Sequence, residues 1–310
     1  MPLVEDAAPP LPPLPYEAWV DTKDTLHLFC QIVGKIRLKA HPKLNHWWHV
    51  TLYPSPRGLT TGRIPYGNGS FEILLDLIVH EVVISSSEGE VERFDIAGKS
   101  VAAFYRATMA ALKSIGVHVR ILAVPYDNKS TVPFADNYEQ SAYDPDAVHR
   151  YWQAIGSIAS TMEVFRGRFD GKSTPVHLYW HSFDLVLTRF SGRRAPLENA
   201  RTQSDREAYS HEVISFGFWP GDDSAPAPAF YSYTYPEPPG LAETDLAPAQ
   251  AQWIDKNGGA LAIYPYDAMR ATPNPGGALL QFMDSTYRAG ASLAGWDFDD
   301  FVHQYVEERP

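Results

Sequence analysis

The chain has 310 residues, of which 45% are hydrophobic and 20% charged, and its formal net charge is −11. That composition excludes a disordered chain and supplies enough apolar mass for a sizeable core. A negative field repels phosphate backbones and anionic lipid, so nucleic acid and membrane surfaces are excluded as default partners, and a small molecule is the expected one.

No stretch approaches the roughly 20 uncharged apolar residues of a membrane helix. The opening residues Met1-Pro2-Leu3-Val4-Glu5-Asp6 lack the basic and apolar runs of a secretory signal. Cys30 is the one cysteine, so no disulfide forms within the chain. Together these features point to a soluble protein of the cytoplasm. Oligomeric state is not legible.

In chain order, residues 1–15 form a proline-rich arm around AAPPLPPLP. Its extended form suits either docking on a partner or lying on its own body, with Tyr16 and Trp19 as anchors. Residues 26–38 fit a helix or a strand. Residues 46–53, HWWHVTLY, have the aromatic and β-branched content of a strand. A turn-rich stretch, 54–70, leads to 71–84, FEILLDLIVHEVVI, expected as one long strand that bends. Residues 85–89 turn the chain into a strand over 91–96.

Ser100 is placed to cap a helix ending at Gly116, with Val101, Phe104, Tyr105 and Leu112 on one face. A strand is expected over 118–124. Asp144-Pro145 opens a second helix, Asp as cap and Pro in the first turn. Residues 176–190 are expected as a long strand, and 211–219 and 229–235 as two more. A Pro/Ala-rich connector follows, then a strand near 260–264, a helix over about 276–294 and a short helical piece from Trp296. Hairpins outnumber helices, so the fold class is α+β: largely antiparallel sheets flanked by a few long helices. One domain over 16–310 is expected, with a faint echo between halves 16–170 and 171–310.

The runs LPPLPYEAW, DTLHLFCQIVGKIRL, NHWWHVTLY, RGLTTGRIPYG, TPVHLYW, SFDLVLTRFSGR, REAYSHEV, GFWPG and FYSYTYPEP resemble one bacterial family across residues 11–296. It is domain-of-unknown-function family five-nine-nine-six. The family has no assigned activity, so the resemblance implies no catalytic residue. Glycine is expected in similar sequences where this chain has His181, which implies that His181 carries no role shared by the family.

The chain contains no GxGxxG, GxxxxGK[ST], HExxH, GxSxG or CxxC motif. What stands out is polar residues inside apolar strands, because burying a polar group is costly unless it is paired. Glu72, Asp76 and His80 alternate onto one face of their expected strand. His177, His181 and Arg189 share a face of theirs, with Asp184 opposite. His211 and Glu212 open a later strand, and His46 and His49 flank Trp47-Trp48.

Residues four apart in a strand stand about 13 Å apart, whereas metal–ligand bonds span about 2 Å. A metal site therefore draws one ligand from each of several strands. His80, His177 and His211, completed by Asp76, Glu212 or His46, form the set that suits zinc or non-haem iron. The competing reading is that each histidine is a hydrogen-bonded core residue. Arg189 and Arg193, beside the Ser191-Gly192 turn, suit an anionic substrate group, or else pair with Asp184 or Glu212. Arg63 is a weaker member of that set.

Aromatic residues, among them Trp48, Trp180 and Tyr233, suit the lining of a pocket or of the core. The expectation is a small-molecule enzyme using His80, His177, His211, Asp76, Asp184 and Glu212 as its acid–base groups. Arg189, Arg193, Trp48, Trp180 and Tyr233 would hold the substrate. A non-catalytic module for an aromatic or apolar metabolite is the alternative.

Overall fold

The computed structural model describes residues 11–196 and 202–297. Residues 1–10 of the proline-rich arm lie outside it. The rest of the arm lies on the body: Leu14 is buried, and the Tyr266 hydroxyl donates to the Pro12 carbonyl at 2.8 Å.

Helix α1 (Val20–Ala40) settles the ambiguity over 26–38, and every residue from Thr22 to Arg37 is buried. A helix apolar on most sides belongs inside a protein. This one also carries Lys23, His27, Gln31 and Lys35 at spacings of four, which form one polar stripe along its length.

Residues 46–51 are not a strand; of the expected run only Leu52, in an isolated bridge, and Tyr53, at the start of the next strand, pair as one. His46 and Trp47 adopt left-handed backbone, φ 53° and 61°, and a 3-10 turn spans Asn45–Trp47. Strand preference is a packing preference, and here tertiary contacts override it. The His46 Nδ1 donates to the Glu207 carbonyl at 3.1 Å, and its Nε2 accepts from Lys172 Nζ at 2.9 Å.

The first sheet contains β1 (Tyr53–Ser55), β2 (Gly58–Thr60), β3 (Ile64–Tyr66), β4 (Gly69–Asp76), β5 (Glu81–Ser86) and β6 (Val91–Asp95). The order is β1-β2-β4-β5-β6, with β3 also on β4, all antiparallel. The run over 71–84 is thus a hairpin, not one bent strand. Asp76 makes the turn: its Oδ1 accepts from Ile78 N at 3.0 Å and Val79 N at 3.1 Å, and His80 is left-handed at φ 58°.

Helix α2 (Val101–Ser114) begins as expected, the Ser100 hydroxyl accepting from Ala103 N. Residues 118–124 form no strand, and Leu122 is exposed. Helix α3 (Pro145–Gly167) starts at the Asp144 cap.

The second sheet contains β7 (His177–Tyr179), β8 (Asp184–Arg194), β9 (His211–Trp219), β10 (Ala229–Tyr235), β11 (Gln252–Lys256) and β12 (Gly259–Pro265), ordered β11-β12-β10-β9-β8-β7. Residues 176–190 are again a hairpin, turned by residues 180–183 with Phe183 at φ 62°. Helix α4 (Gln203–Ala208), closed by a Thr202/Asp205 capping box, and strand β11 were not expected from the sequence. Helices α5 (Tyr266–Arg270) and α6 (Pro275–Leu293) follow β12. Trp296 is buried without continuing a helix; the remainder of the expected helical piece, from residue 298, lies outside the described residues.

The architecture is α+β, with one six-stranded antiparallel sheet in each half. Leu52 and Leu178 exchange backbone hydrogen bonds of 2.9 and 2.8 Å, which ties the start of β1 to β7 and so joins the sheets. A single cluster of buried apolar side chains runs through both. Among the described residues, no helix is long and apolar enough to cross a membrane.

Candidate functional site

Period-two alternation sorts the side chains of β8. Leu185, Leu187 and Arg189 face the core under α3 and α6, while Asp184, Val186, Thr188 and Phe190 face the other way. Register extends that second face across the sheet: Tyr231 stands opposite Gly217, which stands opposite Val186, and Tyr233 opposite Ser215, which stands opposite Thr188. A Cβ on Gly217 would overlap the Tyr231 ring, so the glycine lets that ring lie flat across the sheet.

The phenol of Tyr231 reaches Asp184 and donates to its Oδ2, while the Ser182 hydroxyl donates to Oδ1. Tyr179 is the register partner of Asp184 on β7. The rings of Tyr231 and Tyr233 are parallel within 10°, with centroids 6.3 Å apart. Tyr233 meets the Tyr209 hydroxyl at 3.0 Å, and Thr188 meets Ser215 at 2.9 Å. The result is a hydroxyl-rich aromatic floor around one carboxylate.

Asp184 is only 8% exposed, and no lysine, arginine or histidine among the described residues forms an ion pair with it. A buried carboxylate held only by hydroxyls is unusual, because desolvating an unpaired charge is costly. Burial pushes the Tyr231 and Tyr233 phenols well above their usual range, so both stay protonated. His181 is half-buried on the β7–β8 turn, its ring 5.4 Å from that of Tyr179 and 6.2 Å from that of Tyr126. Burial lowers its pKa against the opposing pull of Asp184 and Asp127, so its imidazole is neutral at neutral pH.

Helix α1 fixes the turn that carries these groups. His27 Nε2 donates to the carbonyls of Trp180 at 3.0 Å and His181 at 3.1 Å, and its Nδ1 accepts from Asn128 Nδ2 at 3.3 Å. Its ring stacks on Phe183 at 5.1 Å. Gln31 holds the neighbouring 125–128 loop, donating to the Tyr126 carbonyl and accepting from the Tyr126 amide. Sequence reasoning missed His27; the available signal was its place in the four-residue stripe on α1.

The expected three-histidine set does not assemble. His80 lies in the β4–β5 turn and meets the Tyr143 hydroxyl at 3.0 Å. His177 is fully buried at the junction of the sheets, its ring 4.8 Å from that of Tyr179 and 6.3 Å from that of Tyr53. Neither of its nitrogens has a hydrogen-bond partner among the described residues. His211 meets the Ser210 hydroxyl, with its ring 5.3 Å from that of His46. Among the described residues, no three His, Cys, Asp or Glu side chains gather to hold a metal ion. The set therefore does not fit zinc or iron.

Other expected site residues are committed elsewhere. Asp76 pairs with Arg57 as well as shaping its turn. Glu212 accepts from Ser191 at 2.8 Å and from Arg193 Nε at 2.9 Å, and Arg193 also donates to the carbonyls of Ala294 and Gly295 at the end of α6. Arg189 does not share a face with His177, because the turn between β7 and β8 resets the alternation. It is buried over the Phe165, Phe169 and Tyr287 rings and donates to the Phe165 carbonyl. Trp180 packs on Gly34 and beneath Lys35. Trp48 lies under Lys172. Of the expected residues, the structure brings Asp184 and Tyr233 together on the tyrosine face; His177, opposite Val186, stands on the same face at the sheet junction beside Tyr179.

A family model described as a family of unknown function (DUF5996) matches residues 11–303, and the chain belongs to that family. No curated protein and no solved structure matches the chain.

Proposed function

We propose that this member of the family takes a small molecule bearing an organic cation onto the tyrosine face and acts on it with Asp184 and His181. The observation that carries this reading is the buried carboxylate of Asp184, which has no cationic partner among the described residues, accepts from the Tyr231 phenol and stands opposite Tyr179. An ammonium group satisfies both features at once: it pairs with the carboxylate and is attracted by ring faces, at about 0.5–2 kcal/mol for each face. The anionic substrate suggested by Arg189 and Arg193 loses its support, since one arginine is inside the core and the other caps α6. The chain's net charge of −11 also concentrates cations.

The chemistry available is proton transfer. His181 is a neutral imidazole able to accept a proton. The Tyr231 proton is committed to Asp184, so the Tyr233 phenol, held protonated, is the one that can donate a hydrogen bond to a developing oxyanion, with Tyr209 donating to Tyr233. Cys30 is a buried free thiol, which supports a reducing, cytoplasmic setting.

A second reading, binding without turnover, is favoured by one contact pattern. Asp184 is hydrogen-bonded by Ser182 and Tyr231 rather than by His181, so among the described residues no carboxylate hydrogen-bonds to the imidazole. His181→Gly separates the two: an enzyme loses turnover while ligand affinity stays, whereas a binding module is unaffected.

Calorimetry with phenethylamine and benzyltrimethylammonium tests the shared claim. Saturable binding is expected, with Asp184→Asn weakening it at least about tenfold, or roughly 1.4 kcal/mol. Phenylpropanol, which carries no charge, is expected not to bind. Equal affinity in wild type and Asp184→Asn contradicts the proposal.

A further inference from the structure

Helix α3 presents a second feature on its outer side. Trp152, Gly156, Ala159 and Glu163 recur at helical spacing and, with Pro54 and Val176, line an open groove of about 380 Å³. Beyond Glu163 the same side of the helix continues into a groove of about 460 Å³, lined by Trp48, Arg166, Phe169, Lys172 and Ser173. One half is mainly apolar, and the other carries two cations.

Gly156 is the informative residue. A glycine inside a helix costs stability relative to alanine and needs a reason. Packing gives none: an added Cβ would meet only the rim of Trp152, at 3.9–4.0 Å. The space above Gly156 is therefore open, with only the Trp152 rim near it among the described residues.

The charges at the other end are not balanced. Arg166 donates to Glu163 at 3.0 Å. Lys172 forms no ion pair among the described residues. It donates to His46 Nε2 and rests 5.2 Å from the Trp48 ring and 5.1 Å from the Phe190 ring. Three fixed neighbours thus position this ammonium beside the groove. Two cations against one carboxylate leave a single positive charge, which matches a monoanion.

We infer that this groove binds a small amphiphile with a carboxylate head at Lys172 and Arg166 and an apolar tail along Trp152 and Gly156. The residues that line the two grooves do not include Asp184, Tyr231 or Tyr233.

Calorimetry on the full chain with decanoate tests the inference. Saturable binding of one decanoate per chain is expected, with decanol at least tenfold weaker. Gly156→Leu fills the tail path and is expected to lower affinity at least tenfold. Leucine is the better helix former, so this variant should melt no lower than wild type, which separates lost binding from lost folding. Lys172→Met is expected to weaken decanoate tenfold and leave decanol unchanged. Absence of saturable binding, decanol equal to decanoate, or wild-type affinity in Gly156→Leu overturns the inference. Tighter binding of decyl phosphate than of decanoate overturns the choice of head group.

Discussion

His27 and His177 are both buried, but their surroundings differ. His27 donates to two carbonyls and accepts from Asn128, whereas His177 has no hydrogen-bond partner at either nitrogen among the described residues. Burial is the main cause in each case of a pKa pushed below the usual 6.5, to about 4 for His27 and about 3 for His177. Lys23 adds to the effect on His27, and Arg37 and Arg166 to that on His177. Because the folded pKa values are depressed, the unfolded chain takes up protons first as pH falls. Stability is complete above about pH 6.5 and declines as pH drops toward 4 and then 3, by about 3 kcal/mol for His27 alone. Urea unfolding from pH 7 to 4 is expected to show that loss. His177→Leu should leave stability at pH 7 within about 1 kcal/mol, since it removes unpaired polar atoms, and should flatten the acid limb. An acid limb identical to wild type would show that His177 is not the desolvated group described.

Arg189 shows why single residues mislead when read from sequence. Its neighbours in the chain suggested a clamp at a strand end, yet only the sheet's register reveals which face it occupies. It is 2% exposed, among three aromatic rings, and burial lowers its pKa to about 10, so it stays charged at neutral pH. Arg189→Ala removes that packing and leaves the Phe165 carbonyl without its donor. Thermal or chemical denaturation should record a loss of about 3 kcal/mol or more.

At the scale of elements, local chemistry was legible where a residue acts on its own neighbours. Ser100 and Asp144 cap α2 and α3 as expected, because a cap needs nothing beyond the first helical turn. The runs over 71–84 and 176–190 showed their strand character but hid their turns, which lack both glycine and proline. Asp76 and Phe183 mark them, through an Asx turn and a left-handed backbone that no alternation pattern reveals. Residues 46–53 failed for the opposite reason: strand-forming residues were recruited by contacts with α4 and Lys172, far away in sequence. Helix α1 and the second sheet meet at Gly34, where a Cβ would overlap the Trp180 indole. Gly34→Ala should therefore destabilise by about 2 kcal/mol or more and shift the 180–183 turn. An unchanged melting temperature would show that the contact is loose.

For the whole molecule, the fold class and the hairpin-rich order were readable because composition and alternation report sheets directly. The joining of the two sheets through Leu52 and Leu178 was not, since one backbone bridge leaves no trace in composition. The candidate site was half visible. Tyr231 and Tyr233 alternate on β10, which puts them on one face by sequence alone, but Asp184 enters that face only through the three-dimensional register of β8, β9 and β10. The expected convergence of histidines was replaced by a convergence of hydroxyls on one acid. The fold thus creates a polar aromatic surface on the side of the second sheet opposite α6, while Arg189 and the phenylalanines fill the other side.

The central claim is that Asp184 and its tyrosines form a seat for an organic cation. A crystal of the protein with bound 2-(4-bromophenyl)ethylamine tests it most directly, because the bromine gives an anomalous signal that fixes the ligand's position and direction. The account predicts the ring over Tyr231 and Tyr233 with the ammonium nitrogen within hydrogen-bond distance of the Asp184 carboxylate. A ligand bound elsewhere, or bound there with its ammonium turned away from Asp184, contradicts it.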